Sequence, residues 1–212
     1  MKLFLDTALL DEIKQAARTG LVDGVTTNPT LIAKAGRTRD EVITEICQLV
    51  NGPISAEVYS MEPEQMLTEA RQLAKIHNNV VIKLPMVLHA MPLVQQLTKE
   101  GIHTNVTLVF SVTQALCAAK AGATYVSPFV GRLDDAGENG MAVVADIIRV
   151  FKEYNFSSQV LVASVRHPDH VRQAALLGAD IATIPFAVFL ELCQHPLTTA
   201  GIKKFLEDAK KQ

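Results

Sequence analysis

Lys83 stands at the end of an otherwise apolar run, Val80–Leu84, just before Pro85. Runs of branched apolar residues of this length are typical of strands buried on both faces of a parallel sheet. An ammonium group buried there is costly unless it is paired with an acid or loses its proton. A neutral lysine amine can attack a carbonyl carbon and form a Schiff base. Lys83 is therefore a candidate nucleophile; the alternatives are a structural ion pair or a side chain that extends from the strand end into water.

Polar side chains also stand at the ends of six other predicted strands. They are Asp6, Thr26, Asn28, Glu57, Asn105, Thr107, Ser127, Ser164 and Arg166. Three pairs of residues at these strand ends are spaced i, i+2, which puts both side chains of a pair on one face of the strand. The pairs are Asn105 and Thr107, Ser127 and Phe129, and Ser164 and Arg166. A single polar strand end is most simply an ordinary solvated terminus. Seven polar strand ends, one of which carries a lysine, favour a shared site at the end of a barrel.

Two arginines follow the sixth and seventh predicted strands. Arg132 and Arg166 together suit a phosphate group, because a guanidinium matches phosphate with two parallel hydrogen bonds. The alternative is that Arg132 pairs with Asp134 or Asp135 in its own loop while Arg166 remains solvated. The sequence leaves both interpretations open.

Short apolar runs alternate with amphipathic segments along almost the whole chain. The predicted strands are Leu3–Asp6, Gly24–Thr27, Ser55–Val58, Val80–Leu84, Thr104–Leu108, Tyr125–Phe129, Val160–Ser164 and Ile181–Pro185. The helical patterns include Leu9–Thr19, Arg39–Val50, Pro63–His77, Val112–Ala121, Met141–Tyr154, Pro168–Leu177 and Pro196–Lys210.

This alternation indicates an α/β fold, a compact (β/α)8 TIM barrel formed as a single domain by residues 1–212. The main rival is an open doubly wound sheet, but no Gly-x-Gly-x-x-Gly follows the first strand. An extra C-terminal helix, over about residues 196–211, has no strand after it. It either caps the barrel or contacts a neighbouring subunit.

Composition excludes several classes of protein. A net charge of −2, from 20 basic and 22 acidic residues, gives no footprint for nucleic acid or an anionic membrane. The N-terminus is interrupted by charge too early for a signal peptide, and no apolar stretch is long enough to cross a bilayer. Cys47, Cys117 and Cys193 are expected to be reduced thiols in the core, as suits a cytoplasmic protein.

Seven segments in order along the chain resemble the transaldolase family. They are Leu5–Ala8, Gly24–Thr30, Ser55–Val58, Val81–Met86, Thr104–Leu108, Tyr125–Arg132 and Ala163–Pro168. The chain most resembles the short, single-barrel subfamily that also contains the fructose-6-phosphate aldolases. The resemblance runs from Lys2 to beyond Pro196.

The resemblance implies a Schiff-base enzyme that needs no metal and no organic cofactor. Lys83 matches the Schiff-base lysine, and Asp6 matches the acid/base that acts on the C4 hydroxyl of the sugar. Glu57 and Thr107 match the pair that moves protons through a water during formation and dehydration of the carbinolamine. A carboxylate beside Lys83 also favours the ammonium form, so burial has to oppose that effect.

The resemblance also implies the residues that bind a sugar-phosphate substrate. Asn28, Asn105 and Ser127 match residues that bind hydroxyl groups of the three-carbon fragment, and Thr26 is placed with them. Arg132, Ser164 and Arg166 match a phosphate site, whose binding energy can orient the reacting carbons.

The residues at three positions distinguish enzymes that transfer the three-carbon fragment from enzymes that release it. Transaldolases have Phe at position 129, whereas the fructose-6-phosphate aldolases have Tyr, whose phenol can protonate the intermediate. Glu57 and Arg166, where the aldolases carry Gln and tend to carry Lys, point the same way. The expected reaction therefore passes dihydroxyacetone from sedoheptulose 7-phosphate to glyceraldehyde 3-phosphate, giving erythrose 4-phosphate and fructose 6-phosphate. The alternatives are an aldolase that releases dihydroxyacetone and a silent barrel that only binds sugar phosphates.

One stretch departs from the family pattern. After Pro85 and Met86 the family usually has Thr and then Gly-Leu, but this chain has Val87–Leu93 with Pro92. Val87 is expected to weaken the cap of the following helix, and Pro92 to shift its first turn. The resemblance finally implies a homo-oligomer, a decamer built from two rings of five.

Overall fold

The computed structural model describes residues 1–211, in which eight parallel strands close into a barrel. Each strand pairs with the next along the chain, and the last pairs with the first. The predicted (β/α)8 architecture is thus confirmed. The strands are β1 (Lys2–Asp6), β2 (Gly24–Thr26), β3 (Ile54–Glu57), β4 (Val80–Pro85), β5 (Thr104–Val109), β6 (Tyr125–Pro128), β7 (Gln159–Val162) and β8 (Ile181–Ile184).

Within the same residues, helices follow every strand. They are α1 (Leu10–Ala17), α2 (Pro29–Ala35), α3 (Arg39–Leu49), α4 (Pro63–Ala74), α5 (Met91–Lys99), α6 (Val112–Lys120), α7 (Val130–Asp135), α8 (Gly140–Glu153), α9 (Pro168–Leu177), α10 (Phe186–Glu191) and α11 (Pro196–Ala209). The sequence pattern predicts no helix for α2, α7 or α10, because each has only six or seven residues, too few for a helical period to show. Across residues 1–211, no helix has both the length and the apolar character needed to cross a membrane.

The barrel has two separate apolar layers, one outside the ring of strands and one inside it. On the outer face, residues such as Val25, Ile54 and Ile82 pack against the helices and are fully buried. On the inner face, Phe4, Val81, Tyr125, Leu161 and Ile181 fill the lower part of the barrel lumen. Because side chains alternate between faces, the residue two positions later also faces the lumen but lies one layer higher.

The upper layer of the lumen is polar where the lower layer is apolar. Phe4 is followed at i+2 by Asp6, Val81 by Lys83, and Ile181 by Thr183. The register places Lys83 between Glu57 of β3 and Asn105 of β5. A rigid ring of strands therefore fixes the polar side chains at one depth, on an apolar floor.

Strand β5 contains an irregularity beside this layer. Its pairing with β6 shifts register between Val106 and Val109, and Leu108 has a φ of 59°. A leucine in the left-handed region is unfavourable, and such bulges are common beside active sites. The irregularity comes immediately after Thr107, one of the predicted site residues.

Helix α11 lies on the surface and does not cap the barrel, because every one of its residues is at least partly exposed. Its apolar side chains share this exposure. Leu197 and Phe205 are each 75% exposed, and Ile202 and Leu206 are also exposed. An apolar surface of this kind is unusual for a helix that has no further partner.

The prediction for the cysteines was right for one residue and wrong for two. Cys47 is buried, and burial raises the pKa of its thiol to about 11. Cys117 and Cys193 are exposed. In α6 the alanines at 115, 118 and 119 form the buried face, so Cys117 points outward. Cys193 follows the end of α10, just before the exposed α11. All three thiols are free.

Candidate active site

A cavity of about 230 Å³ opens at the carboxyl ends of the strands. Its polar walls and small volume suit a small polar ligand better than a drug-sized apolar one. Eleven predicted site residues line it: Asp6, Thr26, Asn28, Lys83, Asn105, Thr107, Ser127, Phe129, Arg132, Ser164 and Arg166. The twelfth, Glu57, lies beside the cavity in contact with Lys83.

Lys83 is almost fully buried in the wall of this cavity, at 4% exposure. Its Nζ donates a hydrogen bond to the backbone oxygen of Thr27 at 3.0 Å and lies 3.1 Å from Oε2 of Glu57. The side chain does not extend into water, so that alternative is wrong. The ion pair is present, and it faces a cavity in which a ligand carbonyl can reach the amine.

Glu57 is held through its own backbone as well as by the register of β3. Nη1 of Arg39 donates to the backbone oxygen of Glu57 at 3.0 Å. Arg39 also pairs with Glu69, whose carboxylate accepts the backbone N–H groups of Tyr59 and Ser60 at 3.0 Å. The chain that leaves β3 is therefore fixed on both sides of Val58, which limits the movement of the carboxylate beside the lysine.

Asp6 ends a chain of hydroxyl groups that crosses the top of the lumen. Thr26 Oγ1 donates to Oδ1 of Asp6 at 2.7 Å and lies 2.6 Å from Oγ1 of Thr183. Since the single hydroxyl proton of Thr26 goes to Asp6, Thr183 is the donor in the second bond. Burial raises the pKa of the Asp6 carboxyl, while the charge of Lys83 and the bond from Thr26 oppose that rise. A carboxyl with this balance can exchange a proton with a ligand hydroxyl.

A second chain of hydrogen bonds fixes Asn105. Its Nδ2 donates to Oγ of Ser55 at 3.1 Å, and Ser127 Oγ donates to its Oδ1 at 2.7 Å. These two bonds hold the amide of Asn105 between its neighbours on both sides. The remaining N–H of Asn105 and the lone pairs of Ser127 suit the hydroxyl groups of a sugar.

Thr107 lies one layer above Asn105 and is 1% exposed. Its hydroxyl has no hydrogen-bond partner among the described residues. Burying an unpaired hydroxyl is costly, so such a group in a cavity wall points to a ligand or water partner. The backbone irregularity at Leu108 fixes the chain immediately beyond it.

Asn28 and Phe129 lie near the mouth of the cavity. Asn28 caps helix α2, its Oδ1 accepting the backbone N–H of Leu31 at 2.9 Å, so that its amide N–H groups and one lone pair of its oxygen are available to a ligand. Phe129 packs edge-on against Phe110 and lies under the guanidinium of Arg132, 5.0 Å from ring centre to Cζ. The side chain of Phe129 thus contacts both the lumen and the residues above it.

Three residues that follow β6 and β7 form what we call the rim: Arg132 on α7, and Ser164 and Arg166 on the loop before α9. Nη2 of Arg166 pairs with Oδ2 of Asp135 at 2.8 Å, and Ser164 has a φ of 59°. Asp135 therefore pairs with Arg166 and not with Arg132, contrary to the alternative that the sequence left open. The rim presents two exposed guanidinium groups at the mouth of the cavity.

Some site residues are not in the predicted set. Thr183 and Ser55 bond directly to predicted residues, as described above. Both lie two positions before the end of a predicted strand or a predicted site residue: Thr183 precedes Pro185, and Ser55 precedes Glu57. The i, i+2 rule could therefore have found them. Across residues 1–211, no three His, Cys, Asp or Glu side chains are grouped so as to hold a metal ion.

The unusual stretch after β4 forms a turn of 3-10 helix, Leu88–Ala90, which leads into α5. Neither Val87 nor Ala90 makes a side-chain capping bond, as expected from the lack of Thr at position 87. Pro92 is accommodated in the first turn of α5, where its missing N–H costs no helical bond.

The fold and the site together define a TIM barrel with a buried lysine–carboxylate pair at its carboxyl end. A sequence model described as "Transaldolase/Fructose-6-phosphate aldolase" matches residues 3–212. The chain belongs to this family, as the resemblance of its motifs predicted.

Individual relatives agree with this assignment. A protein of Geobacter sp. (strain M21) described as "Probable transaldolase" is 60% identical over 211 residues, which cover 100% of this chain and 99% of the relative. A "Probable transaldolase" of Geobacter sulfurreducens is 60% identical over 208 residues, covering 98% and 97%. A solved mandelate oxidase mutant superposes with a TM-score of 0.62 at 14% identity, over 97% of this chain and 70% of that one, and shows the shared fold alone.

Proposed function

We propose that the protein is a transaldolase that transfers a dihydroxyacetone unit between sugar phosphates through a Schiff base on Lys83. The donor and acceptor are sedoheptulose 7-phosphate and glyceraldehyde 3-phosphate, and the products are erythrose 4-phosphate and fructose 6-phosphate. The observation that carries this proposal is the amine of Lys83, buried in a polar cavity 3.1 Å from Glu57. Membership of the family and the names of the relatives support the same activity.

The first half of the reaction forms the imine. Glu57 accepts a proton from Lys83, and the neutral amine adds to the C2 carbonyl of the ketose. Loss of water from the carbinolamine gives a protonated imine, which withdraws electrons from the neighbouring carbons. Thr107, whose hydroxyl has no partner among the described residues, is positioned to hold the water that carries these protons with Glu57.

The second half cleaves and remakes a carbon–carbon bond. Asp6 takes the proton of the C4 hydroxyl as the C3–C4 bond breaks, and the bonding electrons pass into the imine to form an enamine. The aldehyde product leaves, and the enamine attacks the carbonyl of the acceptor while Asp6 returns its proton. Hydrolysis of the new imine frees Lys83. Burial of Asp6 favours its protonated form, which the return step requires.

Recognition of the substrate uses polar groups at the depth of the lysine and above it. Asn105 and Ser127 are oriented toward hydroxyl groups of the three-carbon fragment, and Asn28 contributes an amide from the mouth of the cavity. The rim binds the phosphate, and binding energy from that remote group orients C2 against the amine. Arg166 must then exchange Asp135 for phosphate.

The close alternative is an aldolase that releases free dihydroxyacetone. Phe129 favours transfer, because its ring contacts Arg132 and Phe110 and has no proton to give to the enamine. Measuring fructose 6-phosphate consumption with and without an acceptor aldose phosphate separates the two. Transfer predicts a strong dependence on the acceptor, whereas release predicts little.

The direct test is incubation with fructose 6-phosphate, reduction with borohydride and peptide mapping. A stable adduct on Lys83 is expected. The Lys83→Met variant should form no adduct. The matched control is Lys75→Met, which removes an exposed lysine at the end of α4 and should leave the adduct unchanged. An adduct on another lysine would overturn the site, and binding without any adduct would favour the silent barrel.

We also propose that residues 1–212 act as one cytoplasmic barrel domain that assembles with further copies of itself. The exposed apolar side chains of α11 support this, because assembly would cover them. A decamer of two five-membered rings is the assembly that the family resemblance implies. Sedimentation of the wild type and of Phe205→Ser tests it: a decamer that dissociates in the variant is expected, and a monomeric wild type would contradict it.

A further inference from the structure

The two segments that carry the rim, the start of α7 and the loop after β7, are bonded to one another. Backbone N–H groups of Val130 and Gly131 donate to the oxygens of Ala163 and Ser164, each at 3.0 Å. A Cβ on Gly131 would lie 2.2 Å from the oxygen of Ser164, so the two backbones touch at this point. Helix α7, which carries Arg132, and the loop that carries Arg166 therefore form one unit.

His170 provides a side-chain link within this unit. It lies in the first turn of α9 and is 4% exposed. Its Nδ1 accepts the backbone N–H of Arg166 at 3.2 Å, and its Nε2 lies 2.8 Å from Oδ2 of Asp134. Because Nδ1 is an acceptor, the proton of a neutral ring is on Nε2, which donates to Asp134. The second carboxylate oxygen of Asp134 accepts the N–H of Gly140 at the start of α8.

This arrangement joins the backbone of one rim arginine to the helix that carries the other. Asp134 is two residues after Arg132 on α7, while His170 reaches Arg166 from α9. The spacing of the two backbone segments from which the guanidinium groups extend is thus held by a buried imidazole with two directional bonds. A phosphate held by both arginines requires that spacing to be constant.

We propose that His170 is a positioning residue for phosphate recognition, holding Arg166 and Arg132 at the spacing that one phosphate group needs. The residue touches neither the substrate nor Lys83 and acts through the two segments that carry the rim. This inference rests on the proposed function and adds a determinant of specificity for phosphorylated sugars.

Two substitutions separate the bonds of the imidazole. His170→Gln places a polar atom near the position of Nε2 and keeps a bond to Asp134, but removes the acceptor for the Arg166 N–H. His170→Asn keeps an acceptor near the position of Nδ1 and loses Asp134. The control is His77→Gln, because His77 also accepts a backbone N–H, from Asn79 at 3.1 Å, in the exposed segment before β4.

The experiment compares a phosphorylated with an unphosphorylated ketone. Borohydride trapping on Lys83 is measured with subsaturating fructose 6-phosphate and with dihydroxyacetone, after circular dichroism has shown that each variant is folded. His170→Gln should lower the ratio of the two trapping rates about fivefold to tenfold, the effect of losing about one hydrogen bond. His170→Asn should lower it less, and His77→Gln should leave it unchanged. An equal loss with both ketones, or no loss, would overturn the inference.

A second measurement is independent of the chemistry. Calorimetric titration with inorganic phosphate should give a weaker affinity for His170→Gln than for the wild type, by a similar factor. An unchanged affinity would overturn the inference even if trapping succeeds. Failure of the proposed function has a different signature, since the wild-type protein would then form no adduct on Lys83 with either ketone.

Discussion

The lumen and the rim of the cavity are built in different ways. In the lumen, Asp6, Lys83 and Asn105 stand on strands, are bonded to neighbours on adjacent strands and lie above a packed apolar floor. At the rim, Arg132 stands on the short helix α7 and Arg166 on a loop, and Arg166 has a side chain that is 52% exposed and paired with a still more accessible carboxylate. The lumen suits chemistry that needs fixed distances, whereas the rim suits a ligand group that must enter and leave.

This difference predicts two kinetic signatures. Substitutions in the lumen should lower kcat, because they remove groups that act on the reacting atoms. Substitutions at the rim should raise KM for phosphorylated substrates and leave most of kcat, because they remove binding that the ground state shares with the transition state.

The largest effect is expected from Lys83→Met. Loss of the nucleophile should lower the rate of transfer on the order of 10⁴-fold to 10⁶-fold. The free energy of unfolding should fall as well, because the change leaves the largely buried carboxylate of Glu57 without its partner. A transfer assay and thermal unfolding measure the two quantities. Substantial turnover in this variant would mean that Lys83 is not the nucleophile.

Asp6→Asn should lower kcat by about 10²-fold to 10⁴-fold, the usual contribution of a general acid or base. The same change should raise stability at neutral pH. Because burial raises the pKa of Asp6, the folded state binds an extra proton just above the ordinary pKa of aspartate, and stability falls as pH rises through that window. The Asp6→Asn variant has no such loss of stability, so its melting temperature at pH 7 should exceed that of the wild type. A lower value would contradict this account of the lumen.

At the rim, Arg166→Ala should raise KM for fructose 6-phosphate about 10-fold to 100-fold, the effect of a charged hydrogen bond, with little change in kcat. Arg172→Ala is the matched control, since Arg172 is an exposed arginine on α9 that pairs with Asp169. Steady-state kinetics on both variants provide the measurement. A fall in kcat without a change in KM would remove the distinction between rim and lumen.

Phe129 lies where the two regions meet, and Phe129→Tyr should shift the reaction from transfer toward release by a few-fold. The added phenol can give a proton to the enamine before an acceptor arrives. Phe110→Tyr is the control, because Phe110 packs on Phe129 at 5.9 Å between ring centres. The ratio of dihydroxyacetone released to product transferred is measured for each variant. If both variants give the wild-type ratio, position 129 does not decide between the activities.

The smallest effect concerns pH and the support of the rim. Burial lowers the pKa of His170, and the nearby His167 lowers it further, while the carboxylates of Asp134 and Asp169 oppose the change. Below about pH 6.5 the unfolded chain therefore takes up a proton that the folded chain resists, and stability falls with falling pH. Thermal unfolding between pH 7.5 and pH 5 should show a shallower decline in His170→Gln than in the wild type. Equal slopes would contradict the assignment to this histidine.

Residues of both the lumen and the rim were predictable from the sequence, whereas the contacts of the rim residues were not. Each strand begins within one residue of its predicted start, because a short apolar run between polar segments marks a buried parallel strand. Once the strands are known, the i, i+2 rule selects the lumen residues, including Asn105 and Ser127. The contact of Lys83 with Glu57 depends on the register of two neighbouring strands, which the pattern of either strand alone does not contain.

The partners at the rim depend on how separate loops fold against each other. The sequence alone allowed Asp135 to pair with Arg132, its near neighbour in the chain. In the structure Asp135 pairs with Arg166, which lies 31 residues away. His170 carries no signal of its role beyond its position near the start of a helix. The turn that supports Arg132, α7, is too short for a helical period to be recognised. Such contacts are properties of tertiary geometry.

Helix α11 has a consequence for the lifetime of a lone subunit. Its 14 residues are all at least partly exposed, and an isolated helix of that length is only marginally stable in water. Trypsin would therefore cut a lone chain early, after Lys203 or Lys204, and the assembly proposed above slowly. The rate of clipping along a dilution series would report how much of the protein has left its neighbours.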